Sequence, residues 1–195
     1  MKSLLVLLLL TSVSHAATIN VSKGNAAKIE VKKGEVEISL PAKAREALKN
    51  WNPEFIVFDL KDYSKSIIEN LKDVDSKSVP MAFIADLDND GSKDIVLLGS
   101  DLHRQYAVAL LNKKKEWKAV QVADWSYDDL KKTVIPSNYV TADNEETGIP
   151  LYILPAQDEH AKKLGKKVGI QTEYFLGEGA VYEIINDKPV QLILE

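Results

Sequence analysis

An α+β fold dominated by an antiparallel, meandering sheet is predicted by three observations. Short runs of alternating apolar and polar residues recur along most of the chain, turn sequences separate them, and only two or three stretches carry helical spacing. Lys28 to Val31 and Glu35 to Leu40 alternate as paired strands around Lys32-Lys33-Gly34, which reads as a hairpin turn. Pro41 to Lys49 follows as a helix, because Ala42, Ala44, Ala47 and Leu48 favour that state and proline is tolerated at a first helical position. Phe55 to Leu60 is a short apolar strand, and Tyr63 to Leu71 places Ile67, Ile68 and Leu71 at helical spacing. Met81 to Ala85 and Ile95 to Leu98 are strands on either side of an acidic loop.

Tyr106 to Leu111 and Trp117 to Val122 form a further hairpin joined by the charged stretch Asn112 to Glu116. Asp124 to Thr133 is predicted as a short helix, Ser137 to Pro150 as a polar loop and Leu151 to Leu154 as a brief strand. The lysine-rich Ala161 to Lys167 reads as a solvated turn or helix end. Ile170 to Leu176, Ala180 to Ile185 and Val190 to Leu194 close the chain as strands, the last two joined by the tight-turn sequence Asn186-Asp187-Lys188.

The first residues point to export. Lys2 supplies a positive start, Leu4 to Leu10 are unbroken apolar residues, and Ser14-His15-Ala16 offers small residues at the two positions that a signal peptidase reads. The expectation is a signal peptide over residues 1–16, cleaved after Ala16, and a single exported domain over 17–195, periplasmic or secreted. The apolar run falls short of the roughly 20 residues that a retained anchor needs. The alternative is an ordinary buried N-terminal helix. The absence of cysteine excludes a disulfide framework and a lipid attached through a signal-peptide cysteine. The net charge of −4 becomes one unit more negative on loss of Lys2, which argues against a nucleic-acid partner. No later apolar segment approaches membrane length.

The acidic loop carries the chemistry. Asp86-Leu87-Asp88-Asn89-Asp90-Gly91-Ser92-Lys93-Asp94 places carboxylates at positions one, three, five and nine around a turning glycine. Hard oxygen donors suit Ca²⁺, which accepts several of them in flexible geometry. Four carboxylates so close together repel each other, a cost relieved by protonation, by spreading into water or by a cation, and calcium is the expected relief. An EF-hand would share Asp86, Asp88, Asp90, Gly91 and the carbonyl of Ser92, but it demands a bidentate glutamate at position twelve and helical flanks. Leu97 stands at that position, and both flanks read as strands. Without that glutamate, calcium affinity is expected to be weak, on the order of 10⁻⁴ to 10⁻³ M. The bland alternative is a solvated acidic turn that binds nothing.

The stretch Phe83 to Gly99, with its acidic loop between two apolar strands, resembles the calcium loop of FG-GAP repeats, also called VCBS-like or integrin-type repeats, in a single copy. The resemblance covers about residues 80–122. It implies that Asp86, Asp88, Asp90 and Asp94 hold the ion through side chains and Ser92 through its carbonyl, and that Tyr106 to Leu111 and Trp117 to Val122 complete a blade-like sheet of four. It implies no activity. With one acidic loop, the chain is expected to hold one blade-like unit and not a full propeller. The tail, Gly169 to Phe175 and Ala180 to Ile184, is similar to that of an uncharacterised group of exported bacterial proteins.

Catalytic signatures are sparse. After cleavage the histidines are His103 and His160, neither in a recognisable motif, and HExxH, GxSxG and phosphate-binding glycine patterns are missing. The acidic candidates for glycoside chemistry are Asp128-Asp129, Asp143 with Glu145-Glu146, and Glu173 with Glu178. Trp51, Trp117, Trp125, Tyr127 and Tyr139 either line a groove or fill a core. The favoured expectation is a non-enzymatic exported protein, stapled by one Ca²⁺, that meets another protein or an envelope component. The alternative is a small periplasmic hydrolase of glycosides or peptides that works through carboxylates.

Overall fold

Strand β6 (Asp94–Ser100) is paired along both edges, and its environment sets the position of every other element near the acidic loop. The computed structural model of the protein describes residues 16–74, 78–114, 116–126, 149, 151–156, 158–165, 167–174 and 179–193. On one side β6 pairs antiparallel with β7 (Arg104–Lys113), which pairs in turn with β8 (Glu116–Ser126). The other side is shared. β5 (Ala82–Ala85) takes the first half of β6, from Ala85 opposite Asp94 to Ala82 opposite Leu97, and β4 (Ile56–Val57) takes the end, opposite Gly99 and Ser100. Asp94 to Gly99 and Ala107 to Leu111 are fully buried. Strands covered on both faces read as continuous apolar runs in place of alternation, and full burial of each leucine or isoleucine contributes about 2 kcal/mol.

Two further sheets lean on this one. β1 (Thr18–Val21) runs parallel to β3 (Glu35–Leu40), which pairs antiparallel with β2 (Lys28–Lys32). At the other end of the chain β9 (Leu151–Pro155), β10 (Ile170–Tyr174), β11 (Gly179–Ile185) and β12 (Lys188–Leu192) follow one another as an antiparallel meander. The three strand orders are open, and none closes into a barrel among the described residues. Helix α1 (Ala42–Trp51) packs Ala44 and Leu48 inward, against β7 and β8. Helix α2 (Lys65–Val74) buries Ile67 and Leu71, and α3 (Asp158–Leu164) links β9 to β10. One cluster of buried apolar side chains extends from Ala17 to Ile184 and draws on all three sheets.

The β-rich α+β class is thus observed, with differences in detail. The strands divide into three sheets where a single meander was expected. β1 went unread because four residues are too few to display a period, and its parallel pairing is set at a distance. The strand expected over Phe55 to Leu60 is cut to two residues. Asp59 starts a 3-10 turn at Leu60–Asp62, its side chain accepting from the Lys61 backbone at 3.0 Å while Asp62 accepts from Asp59 N–H at 2.8 Å. Of the segment read as a solvated turn or helix end, Ala161 to Leu164 close a helix that begins at Asp158, and Gly165 follows with φ 67°. Asp124 to Ser126 continue β8 and are not helical. The rest of that predicted helix, most of the 137–150 loop and residues 1–15 lie outside the described residues.

Both predicted tight turns are present. Lys33-Gly34 and Asn186-Asp187 have positive φ at each position, the type I′ pattern that matches the twist of a two-residue hairpin. Among the described residues no helix is long and apolar enough to cross a membrane.

Candidate metal centre

Ala85 pairs with Asp94 across β5 and β6, so the loop of residues 86–93 leaves one strand and returns on its neighbour. Leu87 is fully buried and pins the loop to the core between two aspartates that stay half-buried. The chain reverses through Asn89 at φ 59° and Gly91 at φ 86°. A Cβ at Gly91 would meet nothing within 4 Å, so the demand for glycine there comes from the left-handed backbone and not from space.

The carboxylates organise the loop. Asp86 Oδ1 accepts from Asp90 N–H at 3.1 Å and its Oδ2 from Gly91 N–H at 3.0 Å. Asp88 Oδ1 shares the Asp90 N–H at 3.2 Å, and Asp90 Oδ1 accepts from Ser92 N–H at 2.7 Å. Asp and Asn side chains capture nearby backbone donors in this way when the backbone has no sheet or helix partner.

Asp94 has a different task. It is fully buried, and it accepts from Leu87 N–H at 2.8 Å and from Asn112 N–H at 2.7 Å, one donor on each oxygen. It therefore ties the start of the loop to the end of β7. Burial pushes its carboxyl up to about 6, against the two backbone donors that favour the charged form, and the neighbouring charges of Asp88 and Asp90 add to the rise.

One oxygen each from Asp86, Asp88 and Asp94 lies within 4.8 Å of the others, an arrangement that could hold a metal ion. Asp90 stands outside this triad, with one oxygen turned to Ser92 N–H. Each carboxylate oxygen has two lone pairs, so the loop's own hydrogen bonds leave acceptor capacity for a cation. A cation already approaches: the Lys113 ammonium pairs with Asp88, and it also pairs with Asp187 in the β11–β12 turn. The donor set and this stand-in ammonium both fit a hard divalent ion.

Lys113 and Asp187 were not singled out from sequence. Lys113 reads there as one charge in a solvated hairpin, and only the register of β6 on β7, with Ile95 opposite Leu110, brings the end of β7 beside the loop. Asp187 arrives from the opposite end of the chain.

The other candidates find ordinary structural roles or lie outside the described residues. His103 is exposed, in a turn where Asp101 Oδ1 accepts from His103 and Arg104 N–H at 2.7 and 2.9 Å. Burial alone would raise Asp101, but those two donors, together with Asn52 and the Tyr106 hydroxyl, bring its carboxyl down to about 2. Trp51 packs edge-on against Phe55 and Tyr106, at 5.4 Å in each case, and Trp117 and Trp125 are half-buried against the core. Glu173 accepts from the Tyr152 hydroxyl and from Gln171. The side chain of His160 lies outside the described residues, as do Asp128, Asp129, Asp143, Glu145, Glu146, Glu178, Tyr127 and Tyr139. Neither a family model, a curated protein nor a solved structure matches this chain.

Proposed function

We propose that the protein is an exported, non-enzymatic binding module whose β5–β6 loop is closed by one calcium ion. The observation that carries this reading is the approach of Asp86, Asp88 and Asp94 oxygens to within 4.8 Å of each other in a loop spanning two paired strands. Asp90 and the carbonyl of Ser92 would complete the set, as the FG-GAP resemblance implies. All of these donors are oxygen, which favours calcium over softer metals, and flexible coordination favours it over magnesium. The succession β5, β6, β7 and β8 supports a blade-like unit. An ion here joins the loop to the strands and supplies no reaction.

Export rests on the N-terminal pattern. Cleavage after Ala16 would leave Ala17 first, and its nitrogen keeps the carbonyl of Val57 as acceptor at 3.0 Å. The partner is proposed to be a protein or envelope component with apolar groups. An apolar groove of about 550 Å³ between β2, α2 and β5 supports this, since ligand sites commonly span about 300 to 1,000 Å³. Ile29, Val31, Ile68 and Phe83 line it. The hydrolase reading has Glu173 as its described candidate, and its two hydrogen bonds hold it to Tyr152 across the β9–β10 pair and to Gln171 on its own strand.

Thermal melts test the calcium assignment. The mature protein is expected to melt higher in calcium than in chelator, by about 2.7 kcal/mol at a hundredfold excess over Kd, or roughly 5–10 °C. The Asp88→Ala, Asp90→Ala double variant should show no such rise. Identical melts of both proteins with and without calcium would reduce the loop to an acidic turn.

A further inference from the structure

The line of charges Asp88, Lys113, Asp187 and Lys118 joins the acidic loop to the β7–β8 hairpin and then to the C-terminal β11–β12 turn. The Asp88 side chain retains 9% of its exposure and Lys113 33%, so their contact is partly shielded from water, while Lys118 is 55% exposed. Shielded charges interact more strongly than solvated ones. The geometry points to Lys113 as a built-in counter-cation that competes with the divalent ion for Asp88, with Asp187 as the second carboxylate that receives it. This inference rests on the calcium reading above and adds to it how the site is regulated.

An ammonium on Asp88 neutralises one ligand and repels an incoming cation. The ion must therefore displace Lys113 from Asp88 or bind beside a positive charge, and either route weakens its binding. Asp187 reduces that penalty, because a lysine held by Asp187 gives up Asp88 at less cost. Linkage is reciprocal: whatever pairing of Lys113 with Asp187 does for ion binding, ion binding does for that pairing. The β11–β12 turn is thereby coupled to a loop a hundred residues away in sequence, at a distance of two ion pairs.

Calorimetric titration of calcium into the wild type, Lys113→Gln, Asp187→Asn and the double variant tests this, each protein first shown folded by circular dichroism. Removal of the competing charge is expected to tighten calcium binding about tenfold, within the 5- to 150-fold range of typical couplings. Asp187→Asn should weaken it several-fold. The double variant should bind like Lys113→Gln, because Asp187 acts only through Lys113. Lys113→Met provides a second uncharged side chain should Lys113→Gln fail to fold. Equal or weaker affinity in the uncharged variants overturns the competition while leaving the calcium site standing. A loss from Asp187→Asn that persists without Lys113 overturns the relay. Absence of binding in every protein, the uncharged variants included, overturns the calcium reading and this inference with it.

Discussion

Asp94→Ala is expected to destabilise the protein in millimolar calcium at pH 7 by about 4 kcal/mol, because two charge-assisted hydrogen bonds contribute about 1.5–3 kcal/mol each. The change leaves Leu87 and Asn112 N–H without their acceptor. Asp90→Ala, by contrast, removes one partly buried hydrogen bond, worth about 1 kcal/mol, together with one proposed ion contact, and should cost less than Asp94→Ala. In chelator the Asp94→Ala loss should shrink, since the buried wild-type carboxylate then carries the cost of its own charge. The sign follows from linkage. A folded-state value of about 6, above the unfolded value, contributes stability that is complete below about pH 4 and is lost as pH rises through 6. Wild-type stability in chelator should therefore fall across that interval, and the variant should lack the fall. Asp101, lowered to about 2, adds no slope there, because its contribution is lost only as pH falls below about 4. Urea titrations at several pH values supply both readouts. Equal losses for Asp90→Ala and Asp94→Ala, or the same slope in the variant, would refute the account of Asp94 as a buried tie.

Gly99→Ala should destabilise by about 3 kcal/mol, at the upper end of overpacking costs. A Cβ there would stand 2.2 Å from the carbonyl oxygen of Ile56 and 2.7 Å from the Phe55 ring. The ring could shift, but the oxygen belongs to β4 and is fixed by pairing, with Val57 opposite Gly99. Relief requires β4 to leave the edge of β6, which also disturbs Phe58 N–H on Leu98 O and Ala17 N–H on Val57 O. Glycine is thus the residue that allows two short strands to share one edge. Hydrogen exchange of β4 amides should accelerate in the variant beyond the global loss. A change under 1 kcal/mol, with β4 still protected, would show that the close approach is easily relaxed.

What could be read from sequence divides by range. The hairpins at Lys33-Gly34 and Asn186-Asp187, the strands that flank the acidic loop and the spacing of its carboxylates depend on neighbours within a few residues, and each was legible. The loop's inner hydrogen bonds belong to the same class. The parallel pairing of β1 on β3, the splitting of β6's edge between β4 and β5, and Lys113 between Asp88 and Asp187 depend on residues brought together by the fold, and no local pattern encodes them. Asp94 shows the limit well. Its spacing marks it as a candidate ligand, whereas its burial and its bond to Asn112 N–H, eighteen residues on, give it a structural role that appears only once β6 lies on β7.

A crystal structure of the mature protein grown in millimolar calcium decides whether the loop of residues 86–94 holds the ion. One strong density peak is expected at about 2.3–2.6 Å from oxygens of Asp86, Asp88, Asp90 and Asp94 and the Ser92 carbonyl, with Lys113 drawn away from Asp88 toward Asp187. A loop with Lys113 still on Asp88, and nothing but water among the carboxylates, would contradict the calcium assignment.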